Sequence, residues 1–355
     1  MTIKNIKTLL LAGSVCCLMT ASLTSCNDEW KDEQYEQYLS FRAPLDTQGN
    51  SVGVTTIYVP YTRLNSDGTA RYGMGLSSYD LPVIVSGSTH NAKDLTVHFA
   101  HDIDTLNILN YERFNNRTEL YYHDMSPYAT VPENINIPKG QDIGLLTIMF
   151  DFRNFDLADK WVLPLTIDEQ PGYGYKRNPR KNYAKALLRI LPYTTFSGPY
   201  QANNQKFTVN SINGTVISAV ERGEPSALSE VQMYVVDDNT VFFYAGNLDE
   251  TRLDRKSYKI FARFNGENNG TIDLWCDNPN VKFKENRKAV FRITSEPDAV
   301  QPYLMRRDVI INNMDYNFTD YTSSVGSEIE YNVTGTLTME RVLNTQMPEE
   351  DQVVW

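Results

Sequence analysis

Trp275 and Asp273 stand two residues apart in the alternating run Ile272-Asp273-Leu274-Trp275-Cys276. In a β-strand that spacing puts both on one face, opposite Ile272 and Leu274. An indole beside a carboxylate suits a saccharide, since the ring packs under the sugar's C–H surface while the carboxylate accepts from its hydroxyls. The other reading is that this face points into a core and Trp275 is a packing residue. Tyr173 and Tyr175 form a second candidate pair, in the glycine-rich stretch Pro171-Gly172-Tyr173-Gly174-Tyr175 ahead of Lys176 and Arg177. Loop tips can present rings to a ligand from a rigid scaffold. A plain solvated loop accounts for the same residues without one.

Other chemistries find less support. His98 and His101 are three apart in a strand-like run and so face opposite ways, which does not clasp one ion; His90 and His123 are isolated. Asp249, Glu250 and Asp254 lack the glycine and spacing of a calcium loop and read as ordinary surface. Glycoside hydrolysis needs two carboxylates roughly 5 to 10 Å apart across a cleft. The 44 acidic residues leave that arithmetic open, with no positive sign of it. There is no nucleophile elbow, phosphate loop or dinucleotide fingerprint. The sequence therefore nominates no catalytic residue, no metal and no cofactor. Cys276 falls on the face of Ile272 and Leu274 and reads as a buried small hydrophobe.

The N-terminus carries chemistry of another kind. Lys4 and Lys7 precede an apolar run over residues 9–19, then Leu23-Thr24-Ser25-Cys26. That order is a secretory signal too short for a stable membrane span. Its cysteine makes it a lipoprotein signal, with residues 1–25 removed and Cys26 acylated; several acyl chains hold a soluble body to a bilayer far more firmly than one. Residues 26–36, with Asp28, Glu29, Asp32, Glu33 and Glu36, read as an acidic tether. Removing residues 1–25, which hold two lysines and no acid, takes the formal charge from −11 to −13. Nucleic acid is disfavoured as a partner, since the longest basic patch, Lys176-Arg177 to Arg180-Lys181, is a single loop. After cleavage and acylation Cys276 is the remaining thiol, so an exported chain without staples must rest on large cores.

The elements that must position these residues are strands. Residues 38–42, 55–61, 81–86, 95–101, 145–152 and 161–167 have strand length and β-branched or aromatic content. Asp67-Gly68 supplies the positive backbone angles of a tight turn. One helix is expected from Asp102 or Asp104 through Leu106, Leu109 and Phe114. Residues 184–191 fit strand or helix and are assigned as strand, stopped by Pro192. Pro192 to Pro199 has the composition of a domain junction. Beyond it, residues 200–209, 231–236, 241–244, 258–264, 271–276, 289–294, 308–311 and 330–341 read as strands, with hairpins at 237–240 and 265–270. About eight antiparallel strands at meander spacing suggest a barrel or sandwich, because closure disposes of exposed edges. An eight-stranded barrel holds one small ligand or is filled by side chains.

Trp30-Lys31-Asp32-Glu33-Gln34-Tyr35-Glu36-Gln37-Tyr38 leading into Ser40-Phe41, then Ile137-Pro138-Lys139-Gly140 and Val162-Leu163-Pro164-Leu165-Thr166-Ile167, resemble a widespread group of Bacteroidota surface lipoproteins. Phe196-Ser197-Gly198-Pro199-Tyr200, Tyr316-Asn317-Phe318 and residues 335–341 extend the resemblance through the second half. It implies an all-β chain: an N-terminal immunoglobulin-like β-sandwich over residues 37–192, a C-terminal lipocalin-like antiparallel β-barrel over 193–345, and a tail over 346–355. The acidic tether resembles the export signal that routes such lipoproteins to the outer face of the outer membrane. The resemblance further implies a place in glycan-utilisation loci, beside a TonB-dependent transporter and its substrate-binding lipoprotein. It offers no residue-level binding motif, and the tyrosine-rich 171–175 stretch departs from its usual pattern.

These readings converge on a lipid-anchored, surface-facing protein that binds poly- or oligosaccharide without turnover, the second domain being the expected binder. A structural or adhesive lipoprotein, such as a pilus-like subunit, is the rival and requires a removable first strand or an unfilled groove. A glycoside hydrolase stands third.

Overall fold

A computed structural model describes residues 35–42, 53–346 apart from 66, 181, 203, 219, 222 and 223, and the pair 353–354. Cys26, the tether up to residue 34 and most of the tail beyond residue 346 lie outside the described residues.

The first half is a sandwich of two sheets. Its strands are β1 (Leu39–Phe41), β2 (Thr55–Pro60), β3 (Leu76–Val85), β4 (Leu95–His101), β5 (Tyr122–Asp124), β6 (Ala129–Thr130), β7 (Asn134–Ile137), β8 (Ile143–Asp151), β9 (Lys160–Ile167) and β10 (Lys185–Tyr193). One sheet runs β1-β3-β8-β6; the other runs β2-β10-β9-β4-β7, with β5 paired to β9. Leu146, Ile148 and Phe150 alternate inward from β8 and meet Leu163, Leu165, Leu188 and Ile190 from the facing sheet. Strands β9 and β10 read as near-continuous apolar runs because they are covered on both sides. Helix α1 (Ile103–Phe114) lies on their outer side, packing Leu106 and Phe114 on Val162 and Leu187. Asp102 caps it as expected, accepting from the Thr105 backbone N–H at 3.3 Å. At 12 residues it is too short to cross a membrane, and no helix among the described residues is long and apolar enough to do so.

The second half is a closed antiparallel barrel. Its strands are β11 (Gly198–Gln201), β12 (Lys206–Ile212), β13 (Thr215–Val216), β14 (Ser226–Ala227), β15 (Glu230–Val235), β16 (Thr240–Tyr244), β17 (Lys259–Asn265), β18 (Asn269–Trp275), β19 (Lys284–Arg287), β20 (Ala289–Pro297), β21 (Leu304–Asp320) and β22 (Ile329–Asn344), with β23 (Val353–Val354) added to β22. Pairings run β11-β15-β16-β17-β18-β20-β21-β22, and β22 returns to β11 through Gln201 and Thr338. Tyr200, Phe243, Tyr258, Ile311, Tyr316 and Phe318 are among the side chains that fill the interior. The lumen is a core.

Two sequence expectations are corrected here. Residues 200–209 are two strands, one ending at Gln201 and the next beginning at Lys206, and between them the Gln205 N–H donates to the Ala202 carbonyl at 2.7 Å. The strand expected at 308–311 is the middle of the seventeen-residue β21. Its inward row is Val309 and Ile311, then Met314, Tyr316 and Phe318. A bulge between Ile311 and Met314 switches the parity, with Asn313 at φ 60, so strict alternation ends there.

The halves meet along an apolar seam. Tyr234, Val235, Phe242 and Tyr244 from the barrel's outer wall join the sandwich's own core cluster. Arg255, 1% exposed, donates its Nε–H across the seam to the Ala158 carbonyl at 2.9 Å. Lys259 pairs with Asp156 at 3.0 Å and Lys256 with Asp159 at 2.6 Å beside it.

Gly335 sits where β22 passes from β12 to β11. Its φ is 146, and a Cβ there would stand 2.4 Å from the Asn204 carbonyl oxygen. Replacing Gly335 with Ala is expected to destabilise the protein by about 2 kcal/mol or more, read as a lowered midpoint in urea melts of the whole chain.

Candidate functional site

Alternation along β2 and β10 points Thr56, Tyr58, Arg189 and Leu191 out of the sandwich, while β15 points Glu230, Gln232 and Tyr234 out of the barrel. The two rows face each other across a cleft of about 570 Å³, closed at one side by the 246–250 turn. A volume of that size is in the range of small-ligand sites. Tyr58 leaves 40% of its surface exposed, a ring on the wall rather than in the core. Gln232 and Asn247 bring amides, and Glu230 and Asp249 bring carboxylates. These are the groups that hold a sugar: a ring for its apolar face, amides and acids for its hydroxyls.

Glu250 anchors the cleft. Its carboxylate pairs with Arg189 at 2.7 Å and Lys160 at 3.6 Å, and accepts from the Tyr234 hydroxyl at 3.3 Å. Burial alone would raise its pKa, but the two cations outweigh burial and hold the carboxyl below its ordinary value. For Lys160 burial wins, and its pKa is lowered despite Glu250. Burial also raises the pKa of Tyr58, and of Tyr234 together with the Glu250 charge, so both hydroxyls stay protonated donors. The reading of Glu250 as ordinary surface is thereby corrected: barrel residues of a polar turn become a seam when a second domain closes over them. Asp254 is held by Arg252 at 2.5 Å.

The nominated aromatic pairs lie elsewhere. Ile272 and Leu274 point into the barrel, which puts Trp275 and Asp273 on its outer wall. The indole stacks on Phe261, centroids 5.2 Å apart at 14°, and the Arg263 guanidinium lies 5.3 Å from its centroid. Asp273 is held by Lys288 and by the Asn265 amide at 2.8 Å. Trp275 thus ends a cross-strand row, Tyr234, Phe242, Phe261, Trp275, that starts under the sandwich. In the sandwich, Tyr173 stacks on His98 at 4.0 Å and on Tyr175 at 5.7 Å. Tyr175 accepts from the His98 N–H at 3.0 Å and donates to the Asp168 carbonyl at 2.7 Å; burial pushes its pKa up to about 12. Both pairs are engaged with their own neighbours, sit in different domains, and do not line the cleft. His101 meets Ser126 Oγ at 3.0 Å, away from His98's partner. Cys276 is half-buried against the barrel core, its thiol pKa raised by burial. Among the described residues no three His, Cys, Asp or Glu side chains are grouped to hold a metal.

Sequence reasoning missed the cleft because its walls come from segments near residues 56, 190, 230 and 248. Two signals were present. Arg189 interrupts an otherwise apolar run, and Tyr58 falls on the outward parity of β2.

Fold and cleft together define a two-domain, all-β protein whose groove is built jointly by a sandwich and a barrel. A family described as a domain of unknown function, DUF4973, matches residues 30–171, and a second, described as a C-terminal domain, matches residues 184–338. The crystal structure of an auxiliary nutrient binding protein from Bacteroides thetaiotaomicron VPI-5482 is 45% identical over 90% of this chain and 100% of its own, with a TM-score of 0.79. A Bacteroides ovatus protein of unknown function is 40% identical over 90% and 100%, TM-score 0.75. A multidomain protein including DUF1735 from the same species is 38% identical over 90% and 100%, TM-score 0.74. None of the curated proteins matches. The chain belongs to this family of two-domain Bacteroides proteins.

Because the fold lowers the Glu250 pKa, its contribution to stability is present above the ordinary carboxyl value of 4.5 and is lost as pH falls through the folded value. Melting temperature is expected to drop as pH falls below that value. Glu250→Gln should cost about 2 kcal/mol at pH 7, less than breaking a fully buried pair because the carboxylate is 31% exposed. It should also flatten the acid limb, as measured by thermal melts between pH 7 and pH 3.

Proposed function

We propose that this protein is a surface-exposed, outer-membrane lipoprotein, anchored through Cys26, that captures a poly- or oligosaccharide nutrient without turning it over. The observation that carries this reading is the cleft between the domains, where an exposed tyrosine ring faces amides and carboxylates. The nutrient-binding description of the 45% identical relative supports it. Binding then belongs to both domains together, rather than to the barrel alone. Delivery to a TonB-dependent transporter and its partner lipoprotein would follow, since a tethered binder raises the local concentration of a multivalent chain.

The pilus-like alternative needs a first strand that can leave. Here β1 pairs with β3 over its whole length, and the N–H groups of Leu39 and Phe41 donate to the Lys176 and Tyr183 carbonyls at 2.9 and 2.8 Å. That strand is stitched on both sides. Glu250, paired with two cations, is not free to serve as one of the two carboxylates that glycoside hydrolysis needs.

Residues 27–355 are expected to be retarded in affinity gels containing the cognate polysaccharide and to release no reducing ends from it. Trp275→Ala should leave retardation unchanged while lowering stability by about 1 kcal/mol through the lost stacking. Absence of retardation across a broad polysaccharide panel would count against capture. An unmodified amino terminus by mass spectrometry would count against the anchor.

A further inference from the structure

The cleft continues into a second chamber of about 290 Å³, which runs on past Leu191 toward Tyr193 and Pro199. The two chambers share Tyr58, Leu191, Glu230, Gln232 and Tyr234. Tyr58, paired with Leu191 in the sandwich wall, lies where the two chambers meet and leaves its ring part-exposed there. On the facing wall Glu230, Gln232 and Tyr234 repeat every second residue of β15, roughly 7 Å apart, which is comparable to the advance of one sugar unit in a chain. A single pyranose would occupy one chamber and leave the other to water. The charge is also uneven. Arg189 and Lys160 outnumber Glu250, but Glu230 is an exposed carboxylate on the shared wall and Asp249 a second one in the larger chamber, so acids outnumber cations by one across these groups. Glu230 is the one charged residue lining the smaller chamber. An acidic sugar entering either chamber meets like charge.

Resting on the capture reading, we propose that the groove's occupant is a neutral oligosaccharide of at least two units that lies across Tyr58, one unit in each chamber, with Tyr58 setting chain-length preference and Glu230 excluding uronic acid chains. The test titrates the mature chain calorimetrically with the mono- to hexasaccharides of α-glucan, β-glucan, xylan and mannan, and with oligogalacturonates. One neutral series is expected to bind at least tenfold more tightly as trisaccharide than as monosaccharide. Tyr58→Ala should bring the trisaccharide to the monosaccharide level, and Tyr58→Phe should keep the difference. Oligogalacturonate should bind only after Glu230→Gln. Binding that does not depend on length, or that survives Tyr58→Ala, overturns the straddled groove while leaving glycan capture standing. Preference of the unmodified protein for oligogalacturonate overturns the neutral assignment. Silence from every sugar overturns the capture reading itself, and this inference with it.

Discussion

The seam between the domains is the constraint on which everything else in the molecule depends. The buried guanidinium of Arg255 finds two backbone acceptors, the carbonyls of Arg252 and Ala158. One of them, the Ala158 carbonyl, belongs to the other domain. The aromatic wall around Tyr234, Phe242 and Tyr244 would be an exposed apolar patch on an isolated barrel. The sandwich covers it, and the groove is what remains where the coverage stops. Its walls are therefore held by the same contacts that hold the domains together, and its geometry is set before any ligand arrives.

Much of the fold was legible because two-residue alternation, turn chemistry and a helix cap are local signals. The helix after Asp102, the hairpins at 237–240 and 265–270, and the direction of Ile272 and Leu274 all follow from a few neighbouring residues. What could not be read is where locality fails. The bulge after Ile311 moves the inward row from odd to even positions, and a reader following strict alternation loses the strand there. The same limit hid the parallel pairing of β2 with β10, which joins Thr55 to Leu188.

The candidate site shows this limit more sharply. A sequence reveals that Trp275 and Asp273 share a face, yet not that Phe261 and Arg263 on the next strand already occupy the indole. It reveals tyrosines in a glycine-rich loop, yet not that His98 fills the space against Tyr173. Rings attract rings, so an aromatic conspicuous in sequence is often one already matched in space. Tyr58, inconspicuous in its strand, stands on the cleft wall.

The closure of the barrel bears on how the chain reaches this state. Gln201 on the first barrel strand meets Thr338 on β22, so the ring cannot shut until β22 has emerged. The sandwich is complete once β10 is made, and β10 is followed almost at once by β11. Assembly can therefore run in order, the first half offering a finished surface on which a slower, non-local ring condenses. The aromatic wall destined for the seam is sheltered as it forms, during the interval when an open sheet is most exposed to pairing with other chains.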